Sequence, residues 1–200
     1  MGSRTRYKES PSQTAGPYVH IGCTPNFVDV QDVYSADLGV GPHADFDGNL
    51  RGADMSGERI TITGKIYDGA GGLVTDAMVE TWQTDAQGQY PAADAAFSGW
   101  ARQACDLTTG VFTFQTIKPG CIATSTDRQS PHVSIWIVAR GINLGLHTRI
   151  YFADEDNSAD PVLALIEPSR RQTLIASQQG GAYVFNVRLQ GENETVFFDL

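Results

Sequence analysis

Four histidines, His20, His43, His132 and His147, are the first candidates for chemistry in this sequence. Imidazole titrates near neutral pH and is the commonest transition-metal ligand. His132 heads the stretch Gln129 to Arg140, QSPHVSIWIVAR. Side chains alternate along a strand, so Val133, Ile135 and Ile137 share one face and His132, Ser134 and Trp136 the other. An H-x-H pair would offer one ion two imidazoles from one face; here Ser134 holds the second place. His147 is no substitute. With RGINLGL as a hairpin turn centred near Ile142, His132 faces roughly residue 153, and His147 lies about six positions, or ~20 Å, along the ladder. His20 and His43 lie where no periodicity fixes their position. Taken singly, each histidine reads as structural or solvated. There is no P-loop, GxGxxG, GxSxG or HExxH motif.

The elements that must position these residues are strands. RITITGKIY, Arg59 to Tyr67, puts Ile60, Ile62 and Ile66 on one face, and Asp68 to Gly72 turns the chain. Further strands are expected over Ala77–Gln83, Val111–Thr116, His132–Ala139, His147–Phe152, Ala182–Leu189 and Glu194–Phe198, with Gly88–Thr109 loop-like. Pro168 to Ala176 suits one short helix. Residues 1–57 lack sustained periodicity and read as an extended N-terminal arm. Residues 58–200 read as an all-β domain, a β-sandwich or barrel.

The 14 basic against 23 acidic residues give a net charge of −9 and a pI near 4.7. That argues against nucleic acid or an anionic membrane surface as partner, since both require a basic face. No apolar run approaches the ~20 residues of a membrane span. MGSRTRYKESPSQTAG lacks the apolar core of a signal peptide, and a cytoplasmic home is expected. Cys23, Cys105 and Cys121 have neither the count nor the spacing of a disulfide framework or zinc site. Trp82, Trp100 and Trp136 read as core or interface aromatics, Asp154-Glu155-Asp156 as a solvated loop, and Cys121 as an inert buried thiol. The terminal VFFDL reads as an edge strand buried against a partner.

Seven stretches occur in one order: SPSQTAGPYVHIG (Ser10 to Gly22), WQTDAQGQY (Trp82 to Tyr90), TIKPG (Thr116 to Gly120), SPHVSIWIVARGIN (Ser130 to Asn143), HTRIYF (His147 to Phe152), RRQTLIA (Arg170 to Ala176) and NVRLQGENETVFFDL (Asn186 to Leu200). In series they resemble the intradiol ring-cleaving dioxygenases, and more narrowly that family's subunit type without iron. Residues 23–57 and 91–109 match weakly. The resemblance implies the family's β-sandwich.

In that family the iron-binding chain holds a non-haem ferric ion with two tyrosines and two histidines; hard phenolate ligands suit Fe(III). By motif, those places fall on Tyr90, Ile122, His132 and Ser134. The family's catalytic arginine, three residues before the first histidine, is replaced by Gln129. Alkyl Ile122 cannot bind iron and neutral Ser134 is a poor substitute for imidazole. The resemblance therefore implies a vestigial site with no metal and no catalytic residue of its own. It implies Fe(III) in a homologous partner subunit of an obligate hetero-oligomer acting on an aromatic carboxylate and O2. It assigns Thr14, Gly16, Pro17, Tyr18 and Arg140 to the wall of that partner's pocket. Tyr18 would donate to the substrate carboxylate, Gly16 and Pro17 would let the backbone approach, and Arg140 would favour an anion by charge. Two alternatives stand beside this: a self-sufficient dioxygenase with an altered ligand set (Tyr90, His132 and waters), and a non-catalytic β-sandwich binding module.

Overall fold

The computed structural model describes Gly16, Cys23, Thr24 and residues 56–90, 97–123 and 125–199. The expected arm over residues 1–57 lies almost entirely outside the described residues. Among the described residues there are eleven strands: β1 Arg59–Tyr67, β2 Met78–Trp82, β3 Trp100–Ala104, β4 Val111–Ile117, β5 Ile122–Ala123, β6 Arg128–Gln129, β7 His132–Val138, β8 Leu146–Phe152, β9 Ile175–Gln179, β10 Ala182–Val184 and β11 Val187–Arg188.

Alternation decides the architecture. In β1 the buried positions are Ile60, Ile62, Gly64 and Ile66, and in β7 Val133, Ile135 and Ile137 point inward. One layer is built on β1, antiparallel to β4 and parallel to β10 and β11. The other runs β3-β2-β7-β8, all antiparallel. Strand β9 joins the layers: Ile175 and Ala176 pair with Tyr151 and Phe152 of β8, while Ser177 to Gln179 pair with β10. The result is a β-sandwich. Ile62, Phe112 and Phe114 from one layer meet Val79, Ile135, Ile137 and Phe152 from the other in one apolar cluster. Each such burial contributes about 1.5–3 kcal/mol.

Several elements differ from the sequence reading. Trp100–Ala104 lies in the expected loop but pairs along its whole length with β2, burying Ala101 and Ala104. The expected helix over Pro168–Ala176 stops at Arg171, passes through a 3₁₀ turn at Gln172–Leu174 and becomes β9. Buried Leu174 and the pairing of Ile175 with Tyr151 outweigh continued helix. A second short helix, Pro161–Ala164, is capped by Asp160, whose carboxylate accepts from the amides of Val162 and Leu163.

The expected strand Ala182–Leu189 is broken because the Asn186 side chain takes the Lys65 amide at 3.0 Å. Glu194–Phe198 is no ladder strand. It is pinned by isolated bonds, including Phe198 N–H to the His147 carbonyl at 2.8 Å.

Gly64 marks the tightest approach within the β1 layer. A Cβ there would overlap the Phe185 carbonyl oxygen and crowd the Phe112 ring, neither of which can swing away. Gly64→Ala is therefore expected to destabilise the fold by about 3 kcal/mol, measured by urea denaturation. A loss under about 0.5 kcal/mol would mean that the layer yields there.

Candidate functional site

The site is framed by two loops locked together by buried polar groups. The Gln83 carboxamide donates to the Ile117 carbonyl at 2.8 Å and accepts from the Thr116 hydroxyl at 2.8 Å. Thr84 donates to the Gly120 carbonyl at 3.1 Å, and the Gly120 amide donates to the Asp85 carbonyl at 2.8 Å. The Asp85 carboxylate accepts from the amides of Gln87 and Gln89, folding the turn that ends at Tyr90. Gly88 has φ +78°, and a Cβ on it would overlap the Cys121 carbonyl oxygen. The WQTDAQGQY and TIKPG motifs are thus one packed unit that sets Tyr90 and Ile122 relative to each other.

Strands β7 and β8 supply the other wall. His132 lies opposite Tyr151, Ser134 opposite Arg149, and Trp136 opposite His147. The hairpin is therefore two residues tighter than the sequence reading placed it. His147 is four positions from His132 along the ladder, ~13 Å rather than ~20 Å, still too far to share an ion.

His132 is 3% exposed, and its Nδ1 lies 2.8 Å from the Ser130 carbonyl oxygen. A carbonyl only accepts, so Nδ1 carries the proton and Nε2 keeps the lone pair, as in a metal-binding histidine. Burial, then the Arg149 charge, pull the His132 pKa down to about 4, against smaller opposing effects of Ser130 and Asp160. Tyr90 is 50% exposed. Desolvation raises its phenol pKa, with Arg149 acting in the opposite sense, so it is a neutral phenol at pH 7.

Sequence reading missed Arg149 and Asp160. Arg149 Nη1 donates to Gln129 Oε1 at 2.9 Å and contacts the Tyr151 hydroxyl at 3.3 Å, with the guanidinium over the Phe198 ring at 5.9 Å. Gln129 thus has a cationic hydrogen-bond partner. Buried Asp160 accepts from Tyr151 at 3.1 Å and from the Ser130 amide at 2.8 Å, besides capping its helix. The only advance signal was that HTRIYF alternates toward the His132 face.

The donor set does not fit a ferric ion. A neutral phenol, an alkyl group, one imidazole and one hydroxyl stand at the four places, with a guanidinium beside them. Among the described residues, no three His, Cys, Asp or Glu side chains converge as a metal site needs.

Of the expected pocket-wall residues, Thr14, Pro17 and Tyr18 lie outside the described residues. Gly16 is half-buried, with room around its Cα for a side chain. Arg140 sits beyond the far end of β7, eight residues from His132, so the two are ~26 Å apart along the strand. Its side chain is 73% exposed and bonds Asp76 at 3.0 Å. The pair borders a cavity of about 500 Å³ with Ile142, Leu146 and Leu189.

The acidic run is more than a solvated loop, because Lys118 bonds both Asp154 and Glu155 at 2.7 Å. Trp82 is 51% exposed and meets Trp100 in a tilted ring contact at 5.9 Å, so of the two expected roles, core or interface, it does not fill the first. Cys121 is half-buried rather than buried, and all three cysteines are unpaired.

The family model named Dioxygenase matches residues 34–191. The chain is 44% identical over 204 residues to the protocatechuate 3,4-dioxygenase alpha chain of Pseudomonas putida, covering 96% of each. It is 29% identical over 184 residues to the protocatechuate 3,4-dioxygenase beta chain of Burkholderia cepacia, covering 82% of this chain and 78% of that one. Among solved structures, the intradiol ring-cleavage dioxygenase from Tetranychus urticae superposes with a TM-score of 0.57 at 17% identity, covering 79% of this chain and 90% of that one.

The depressed His132 pKa has a defined sign. Between pH 6.5 and about 4 the unfolded chain binds a proton that the folded chain refuses. Stability from this group is full above pH 6.5 and is lost as pH falls toward 4, by up to about 3 kcal/mol. The His132 ring resonances are expected to titrate near pH 4 by NMR, and His132→Gln to flatten this part of the stability profile. Titration near pH 6.5 would contradict the geometry.

Proposed function

Because the chain belongs to the intradiol ring-cleaving dioxygenase family, we propose that it is the iron-free α-type subunit of a protocatechuate 3,4-dioxygenase. With O2, the complex cleaves protocatechuate between its two hydroxyl-bearing carbons to 3-carboxy-cis,cis-muconate. The partner is a homologous β subunit, which holds the Fe(III) and the reacting centre.

The observation that carries this reading is the contrast within the vestigial site. The Gln83–Thr116 and Thr84–Gly120 lock is intact, yet Ile122 and Ser134 stand where donors would be needed. A scaffold kept while its metal ligands are replaced fits a chain whose work lies in a partner's pocket. A self-sufficient enzyme would have to bind iron through one buried imidazole and a half-exposed neutral phenol. A non-catalytic binding module leaves the SQTAGPY segment without a use.

This chain's task is positioning. Thr14, Gly16, Pro17 and Tyr18 line the partner's pocket, with Tyr18 donating to the substrate carboxylate. Arg140 adds positive charge there. Its exposed pair with Asp76 is weak, so an incoming carboxylate can recruit the guanidinium. A cytoplasmic location suits three unpaired cysteines, and no helix among the described residues is long and apolar enough to cross a membrane.

The test is oxygen uptake with protocatechuate by each chain alone and by the co-expressed pair. Activity is expected only when the β partner is present. In that complex Tyr18→Phe should raise KM about tenfold, the loss of one hydrogen bond to a charged group, and leave the visible absorption of the iron unchanged. Ring cleavage by this chain alone would overturn the proposal, and an altered iron spectrum in Tyr18→Phe would move that residue to the metal.

A further inference from the structure

We propose that the Arg149 guanidinium stands in the place of the missing metal, as a fixed internal cation that ties the site together and bars a metal ion even where ligands are restored. The inference rests on the iron-free reading above and adds a second barrier to the loss of two ligands.

The register places the guanidinium. Arg149 pairs with Ser134 and lies next but one to Tyr151, which faces His132, so these side chains occupy one face of the β7–β8 ladder. Its bond to Gln129 reaches β6, whose residue Gln129 pairs directly with Ile122 of β5. Its contact with Tyr151 leads through the 3.1 Å hydrogen bond to Asp160, and so to the Ser130 segment that orients His132. Its field reaches both Tyr90 and His132. One cationic group therefore touches or polarises the surroundings of all four vestigial positions.

Two consequences follow from charge and shape. A guanidinium is a planar cationic donor, and this one is bonded to Gln129 and Tyr151, so another cation entering here meets its charge. A trivalent ion bound on the same face of the ladder would meet strong repulsion from it in a partly desolvated site. The same group does the mechanical work of a bound ion, linking β6, β8 and, through Tyr151, the Asp160 cap.

The experiment uses the full-length chain purified with its β partner and counts iron in excess of the wild-type complex, with visible absorption as a second readout. Ile122→Tyr/Ser134→His restores the ligand types and is expected to take up no excess iron. Adding Arg149→Gln should admit one further ferric ion with a tyrosinate absorption band, bound at least about a hundredfold more tightly than with Arg149 present. Adding Arg149→Lys instead keeps the charge and should again exclude it. Arg149→Gln alone should lower the melting temperature by about 4 °C, whatever its iron content.

Full iron uptake by Ile122→Tyr/Ser134→His with Arg149 retained would overturn the proposal while leaving the iron-free reading of the wild-type chain intact. Exclusion of iron by every variant would overturn it too, because the guanidinium would then not decide metal entry. An unchanged melting temperature in Arg149→Gln would overturn the structural half. Iron bound by the wild-type chain on its own would instead sink the reading beneath the inference.

Discussion

The architecture of the site depends on one buried carboxamide. Gln83 is almost fully shielded from water and satisfies donor and acceptor together, bridging the Ile117 carbonyl and the Thr116 hydroxyl across the sandwich. A buried amide left without either partner costs more than the bonds gain when made, so the loop after β2 and the loop after β4 are held in a single relation. Thr84, Asp85 and the close approach of Gly88 to Cys121 extend that relation to Tyr90 and Ile122. On the proposed reading, this is the frame that sets the two tyrosine places, one of them filled here by Ile122.

The remaining polar groups keep the site ordered through hydrogen bonds of the chain's own residues. His132 keeps the tautomer of a ligand, fixed by the Ser130 carbonyl, and Asp160 holds Ser130, Tyr151 and a helix N-terminus at once. Arg149 joins Gln129 and Tyr151 from within the chain. A surface of this kind, rigid but without a reactive ion, suits a subunit whose contribution is to shape and position a neighbouring pocket.

Much of this was legible in advance, and the failures have physical reasons. Strands β1 and β7 announced themselves by strict alternation of Ile and Val. Strand β3, WARQA, carries no β-branched residue and no alternating face, so only its pairing with β2 reveals it. In β9 the residues Ile175 and Ala176 continue a helix-like pattern and become a strand because β8 offers an unpaired edge. Tyr90, Ile122, His132 and Ser134 drew attention because they sit in local motifs. Arg149 did not, since its partner Gln129 lies 20 residues away and the two meet only through the β7–β8 register. Asp160 reads as one acid among 23 until its four hydrogen-bond donors are seen.

On the proposed function, this chain holds a family scaffold without the family's metal. The deciding measurement is the iron content and visible absorption of the wild-type chain, purified alone and then with its β partner. A colourless, iron-free chain alone is expected, and a coloured complex with one ferric ion per αβ pair, the colour arising from tyrosinate-to-iron charge transfer in the partner. Stoichiometric iron with that colour in the chain alone would contradict that expectation, and would mean that Ile122, Ser134 and Arg149 do not stand where a metal would have to bind.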